Sequence, residues 1–105
     1  MFEKTAFIHH VYFWLTNPDN SKDRDDLVEG LKSLSALNTI QHSHIGVPAD
    51  THRSVVDSTY GVSSLLVFKN KEAQDSYQDD PMHLKFIADC KHLWNRVIVY
   101  DTISM

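Results

Sequence analysis

From Thr5 to Leu15 the chain is apolar or aromatic in both registers of an alternating pattern. His9, Val11, Phe13 and Leu15 fall on one side, and Ile8, His10, Tyr12 and Trp14 on the other. The run is rich in residues that favour strands and stops at the turn signal Thr16-Asn17-Pro18, which predicts a long first strand. Neither side is plainly polar, so both faces are expected to be buried. In a chain this short, helices can cover one face and a second copy would have to cover the other.

Asn20 or Ser21 can cap a helix whose first turns carry Asp23, Asp25 and Asp26, where negative charge complements the helix dipole. Leu27, Leu31 and Leu34, with Val28 beside them, continue it as an amphipathic helix to about Leu37. Thr39 to Val47 reads as a second strand, and the polar stretch Pro48 to Thr59 as a loop or irregular excursion. Tyr60 to Phe68 is a third strand. Asn70 caps a short helix to about Gln78, and Asp80-Pro81, a capping residue before proline at the first helical position, restarts a helix to about Trp94. Val97 to Ile103 closes the chain as a last strand. The order β-α-β-β-α-β, its second helix in two pieces, predicts an α+β fold with an antiparallel sheet carrying helices on one face. Residues 1–105 are expected to form a single domain.

Composition adds exclusions. The chain is 42% hydrophobic and 23% charged, too apolar for disorder. A formal charge of −4 with scattered basic residues gives no field for nucleic acid or anionic membrane. Cys90 is the only cysteine, so no internal disulfide forms and a reducing, cytoplasmic setting is expected. The opening residues lack the pattern of a signal peptide, and no apolar run is long enough to span a membrane.

Two residues stand out for chemistry. His83 shares a helical stripe with Ile87, Cys90 and Trp94, so it points inward from the third helical position. Free backbone N–H groups there disfavour an imidazolium, whereas Asp80 at the cap opposes them. A neutral imidazole in an apolar pocket can act as a general base. A hydrogen-bonded core histidine explains the same pattern without chemistry, and the residues alone favour it. Tyr77 can reach the same cavity if the chain bends at Asp79 to Pro81, and its hydroxyl can then donate to a developing oxyanion. The plainer reading leaves that hydroxyl in solvent.

The opening His9-His10-Val11-Tyr12-Phe13-Trp14-Leu15 resembles the H-x-V-x-F-x-L start of stress-responsive A/B barrel proteins. Tyr60 to Phe68, followed by Glu72, Tyr77, Pro81, His83 and Phe86, is similar to that family's second half, and Val97-Ile98-Val99-Tyr100-Asp101 to its last strand. The resemblance covers nearly the whole chain. It implies a ferredoxin-like protomer whose open sheet face pairs with a second copy in a dimeric α/β barrel.

The family's plant polyketide cyclases use a tyrosine and a histidine matching Tyr77 and His83 for an aldol-type ring closure. By that resemblance His83 is the base and Tyr77 holds the substrate carbonyl. His9, Val11, Phe13, Leu27, Leu31 and Ser64 would line a pocket for a small hydrophobic carbonyl ligand. The chain departs from that branch in having Leu27 and Leu31 where the cyclases have aromatic residues, and Asp80-Pro81 in place of His-Pro. The alternatives are a non-catalytic dimeric binding protein and, on fold alone, a haem- or quinone-type monooxygenase. No cofactor is implied by any motif.

The remaining histidines and Cys90 carry less. His42 and His44 share a strand face, but two ligands are too few for a metal site, and none is expected. His10 fits an interface, His52 and His92 fit solvent, and Cys90 fits the core. Asp19 to Asp26 reads as a solvated helix start, since the glycine and final glutamate of a calcium loop are missing.

Overall fold

The computed structural model describes residues 2–105. Strand β1, Phe7–Leu15, is followed by helix α1, Ser21–Ser35, and strand β2, Ile40–Gly46. Strand β3, Val62–Phe68, leads to helices α2, Lys71–Gln78, and α3, Pro81–Cys90. One 3₁₀ turn, Lys91–Leu93, then joins strand β4, Trp94–Ile103.

Local chemistry sets the helix starts. The side chain of Asn20 accepts a hydrogen bond from the backbone N–H of Asp23 at 3.1 Å, that of Asn70 from Ala73 at 2.9 Å, and that of Asp80 from Met82 at 2.8 Å. Each satisfies an amide that the first helical turn leaves without a partner, an effect of about 1 kcal/mol per cap. Pro81 occupies the first turn of α3, where its missing N–H costs nothing.

Several strand and helix ends differ from expectation, β2 by one residue at each end. β1 begins at Phe7 rather than Thr5, and α1 ends at Ser35 rather than Leu37. β3 begins at Val62 because Tyr60 leaves the ladder to pack on Tyr12 and Trp14. Gly61 passes so close to Leu15 that a Cβ there would lie 3.0 Å from Leu15 Cδ1. The largest shift is at the end of α3. That helix stops at Cys90, and Trp94 begins β4 opposite Leu15, across an irregularity in the β1–β4 register between Trp14 and Leu15. Thr16 N–H donates to the Leu93 carbonyl at 3.0 Å and ties this corner to the end of β1. Cross-strand pairing thus overrides the helical periodicity that ran on through residue 94.

The four strands form one antiparallel sheet in the order β2-β3-β1-β4. α1 packs on β2 and β3, α2 on β1 and β3, and α3 on α1, all on one face. This is the ferredoxin-like α+β arrangement. The molecule is a slab of 38 × 35 × 18 Å, two layers thick with one sheet face bare.

The helix-covered face holds the core. Val11, Phe13 and Leu15 of β1 are buried against Leu27, Leu31 and Leu34 of α1, with Val62, Leu66 and Phe68 of β3 completing the layer. α1 and α3 approach closely at Gly30, where a Cβ would fall 2.8 Å from Cys90 Sγ and 3.1 Å from the Phe86 ring. On the opposite face Ile8, His10, Tyr12 and Trp14 are only half-buried, and Tyr100 of β4 is 62% exposed. The expectation that both faces of β1 are buried is therefore met within the protomer on one face only. No helix among the described residues is long and apolar enough to cross a membrane.

Candidate functional site

A cavity of about 230 Å³ lies between the sheet and the helices. β1 supplies His9, Val11 and Phe13 to its lining, α1 supplies Leu31, and β3 supplies Ser64 and Leu66. Tyr77 and Gln78 enter from α2, His83, Phe86 and Ile87 from α3, and Trp94, Val97 and Val99 from β4. His9 and His83 flank Tyr77, and aliphatic and aromatic side chains line most of the rest. On the β4 side the helices do not close over the sheet, and Val97 and Val99 each stay 44% exposed at the rim.

Of the residues picked out from the sequence, His9, Val11, Phe13, Leu31, Ser64, Tyr77 and His83 all line this cavity. Leu27 does not. It faces the same layer but is 0% exposed in the core, because one turn along α1 from Leu31 the helix presses directly on the sheet.

His9 is anchored from β4. Its Nδ1–H donates to Asp101 Oδ1 at 2.7 Å, and the two residues face each other in the β1–β4 register. The bond points the Nδ1 proton at Asp101 and fixes the orientation of the ring. The His9 ring lies 6.1 Å from the Tyr77 ring, and the Tyr77 ring 4.6 Å from the His83 ring, so the three form a continuous set.

His83 is oriented differently. Its Nδ1 lies 3.2 Å from the Gln78 carbonyl, which can only accept, so Nδ1 bears the proton and Nε2 keeps a free lone pair. Desolvation holds the His83 pKa below its ordinary value, and the nearby His9 pushes the same way. The hydrogen bond to the Gln78 carbonyl and the charge of Asp80 oppose that shift without cancelling it. Asp80 thus raises the pKa as expected, whereas the lowering comes from burial and His9 rather than from the free N–H groups of the helix start. Burial, assisted by Asp80, also raises the Tyr77 phenol far above its ordinary value, so it remains a proton donor.

Three features of the site escaped sequence reading. Asp101 belongs with His9, and the signal for it was a lone acidic residue in register with Val97 and Val99 on the last strand. Val97 and Val99 themselves line the mouth. Trp94 reaches the cavity from β4 rather than from a helix.

The other candidates lie elsewhere. His10, His42 and His44 are on the open sheet face, and no group of three or more His, Cys, Asp or Glu is placed to hold a metal among the described residues. His52 pairs with Asp50 at 2.6 Å in the exposed loop. Cys90 is buried beneath Gly30, and desolvation raises its thiol pKa, which makes it a poor nucleophile.

The fold is shared with several solved structures. A Dabb family protein with a ferredoxin-like fold from Mesorhizobium loti is 22% identical, with a TM-score of 0.78 over 95% of this chain and 97% of that one. A hydroxynitrile lyase from Passiflora edulis is 14% identical, with a TM-score of 0.79 over 97% of this chain and 95% of that one. A dimeric ferredoxin-like protein of unknown function from Thermobifida fusca is 13% identical, with a TM-score of 0.77 over 98% and 94%. No curated protein matches the sequence. The model of the Stress responsive A/B Barrel Domain, Dabb, matches residues 8–104, which span both cavity-bearing halves of the sheet, and the chain belongs to that family.

Proposed function

We propose that the chain is a homodimeric, single-domain protein that binds a small carbonyl compound between sheet and helices and removes a proton from the carbon beside its carbonyl. The observation that carries this reading is the His83–Tyr77 pair, in which a desolvated imidazole with a free Nε2 lies against a phenol that stays protonated, within one cavity.

In the proposed step His83 Nε2 takes the α-proton. The electron pair of the broken C–H bond moves into an enolate, and the Tyr77 hydroxyl hydrogen-bonds the enolate oxygen. His9, held by Asp101, supplies a second polar contact. Val11, Phe13 and Leu31 take the apolar part of the ligand, and Ser64 adds a hydroxyl. At about 230 Å³ the cavity is below the roughly 300–1,000 Å³ of sites for drug-sized molecules, which favours a small ligand. If a second carbonyl lies within reach of the enolate carbon, the same arrangement supports an aldol-type ring closure. The homodimer reading draws on the bare aromatic sheet face and on the dimeric relative from Thermobifida fusca.

The test is exchange of α-protons for deuterium, followed by NMR, with enolisable ketones and short poly-β-keto compounds. Loss of a positioned general base should slow exchange by about 10²- to 10⁴-fold in His83→Ala, and Tyr77→Phe should also slow it. Equal exchange in wild type and His83→Ala would remove His83 from the mechanism. Binding without exchange would leave the chain a binding protein.

A further inference from the structure

On the bare face the sheet register arranges side chains in rows across the strands. Ile8 of β1 neighbours Val67, which neighbours His42, and His10 neighbours Leu65, which neighbours His44. Three histidines are thus interleaved with aliphatic side chains at the β2 side. At the other side Tyr12, Trp14, Tyr60 and Tyr100 form an edge-to-face aromatic group. We infer that this face is a pH-gated self-association surface, covered by a second copy when His10, His42 and His44 are neutral and released when they are protonated. The inference rests on the reading of the open face as the homodimer surface and adds its regulation.

A second copy is the occupant that suits the face. Ile8, Leu65, Tyr12, Trp14, Ile98 and Tyr100 lie side by side on the one sheet face that the protomer's own helices leave bare, in a protomer only 18 Å thick. The charge census then decides the response to acid. From β1 the ionisable groups on this face are His10 and Tyr12, and β2 contributes His42 and His44. β3 contributes none, since Ser63, Leu65 and Val67 occupy its rows. β4 contributes Arg96, which stacks on Trp14 at 4.3 Å, and Tyr100. The loop before β3 contributes Tyr60 and Asp57, and that carboxylate is already engaged by the Thr59 hydroxyl and backbone N–H. The N-terminal segment brings Phe2 onto His42 and carries one charge of each sign, Glu3 and Lys4. Among the described residues no carboxylate is hydrogen-bonded or ion-paired to His10, His42 or His44, the histidine–carboxylate pairs being His9–Asp101 and His52–Asp50.

His10 is already adapted to neutrality. The Tyr12 hydroxyl donates to its Nδ1 at 3.2 Å, and the rings stack at 4.4 Å. Burial, then His44 and His9, hold its pKa below the ordinary value. Covering the face with a second copy removes more water from all three rings, which disfavours their charged forms. Each pKa unit by which a histidine is depressed on association corresponds to about a tenfold weaker dimer at acid pH.

Analytical ultracentrifugation of the full chain at about pH 7.5 and about pH 5.5, with circular dichroism at both, tests this across the range in which histidine titrates. The expected result is a dimer at the higher pH and a dissociation constant raised by about tenfold or more at the lower, with the fold unchanged. The H10Q/H42Q/H44Q variant should stay dimeric at both. The H42Q/H44Q variant, which alters only exposed side chains, should lose most of the pH slope, since His10 is already held toward neutrality within the protomer. A wild-type dimer equally tight at both pH values, a variant as acid-sensitive as wild type, or loss of the folded spectrum at the lower pH would each overturn the gate. A monomer at about pH 7.5 would instead overturn the homodimer reading, and the gate with it.

Discussion

His9 of β1 and Asp101 of β4 face each other across adjacent strands and are joined by a 2.7 Å hydrogen bond from Nδ1–H to Oδ1. His9 is 7% exposed, whereas the Asp101 side chain is 43% exposed, so a group at the sheet rim orients a ring inside the cavity. Asp101→Ala removes the acceptor and should cost about 0.5 to 1.5 kcal/mol, toward the lower end because the carboxylate is partly solvated. Asp101→Asn keeps an oxygen at the same place and should cost less. Urea denaturation of the three proteins gives the comparison, and an Asn variant as unstable as the Ala variant would show that charge, not hydrogen bonding, holds the ring.

Because desolvation is the main cause of the lowered His83 pKa, the unfolded chain takes up a proton at this residue before the folded one does. The contribution to stability is complete above the ordinary value of 6.5 and is lost as pH falls toward the lower folded-state value. The denaturation midpoint of wild type should fall over that window, and in His83→Gln it should fall less. An identical pH profile for the two proteins would place the acid sensitivity elsewhere.

Replacing Gly30 by Ala adds a methyl group 2.8 Å from Cys90 Sγ and 3.1 Å from the Phe86 ring. Alanine improves helix propensity by about 0.5 to 1 kcal/mol, but overpacking costs about 1 to 3 kcal/mol, so the net change should be destabilising. In a double-mutant cycle with Cys90→Ala, the lost sulfur contact should return about 1 kcal/mol as coupling. Additive effects would mean that Phe86, not Cys90, sets the limit.

The Thr39 hydroxyl, at the entry to β2, is buried without a hydrogen-bond partner. An unpaired buried hydroxyl costs about 1 to 3 kcal/mol, and valine has nearly the same shape without it. Thr39→Val should therefore raise stability by about 1 kcal/mol, equivalent to roughly 4 to 8 °C in Tm for a domain of this size. Calorimetry reads the shift directly, and an unchanged or lower Tm would indicate that the hydroxyl is satisfied in solution.

Element order and inward faces were legible in the chain because they follow from local rules. Alternation placed His9, Val11 and Phe13 on one side of β1, leucine spacing turned α1 inward, and Asn20, Asn70 and Asp80 marked the helix starts. Leu27 and Leu31 share one stripe of α1, so periodicity could not tell that only Leu31 reaches the cavity.

By itself, then, the sequence determined the order of elements, which side chains point into the covered layer, and that Tyr77 and His83 lie near one helix break. It also showed that β1 carries aromatic side chains on the face its own helices do not cover. Tertiary structure alone decided that Asp101 anchors His9, that Trp94 belongs to a strand, and that the cavity opens at β4. Each of these depends on the register between β1 and β4, strands separated by almost the whole chain. Register is set by which faces bury together, so no local window of sequence contains it.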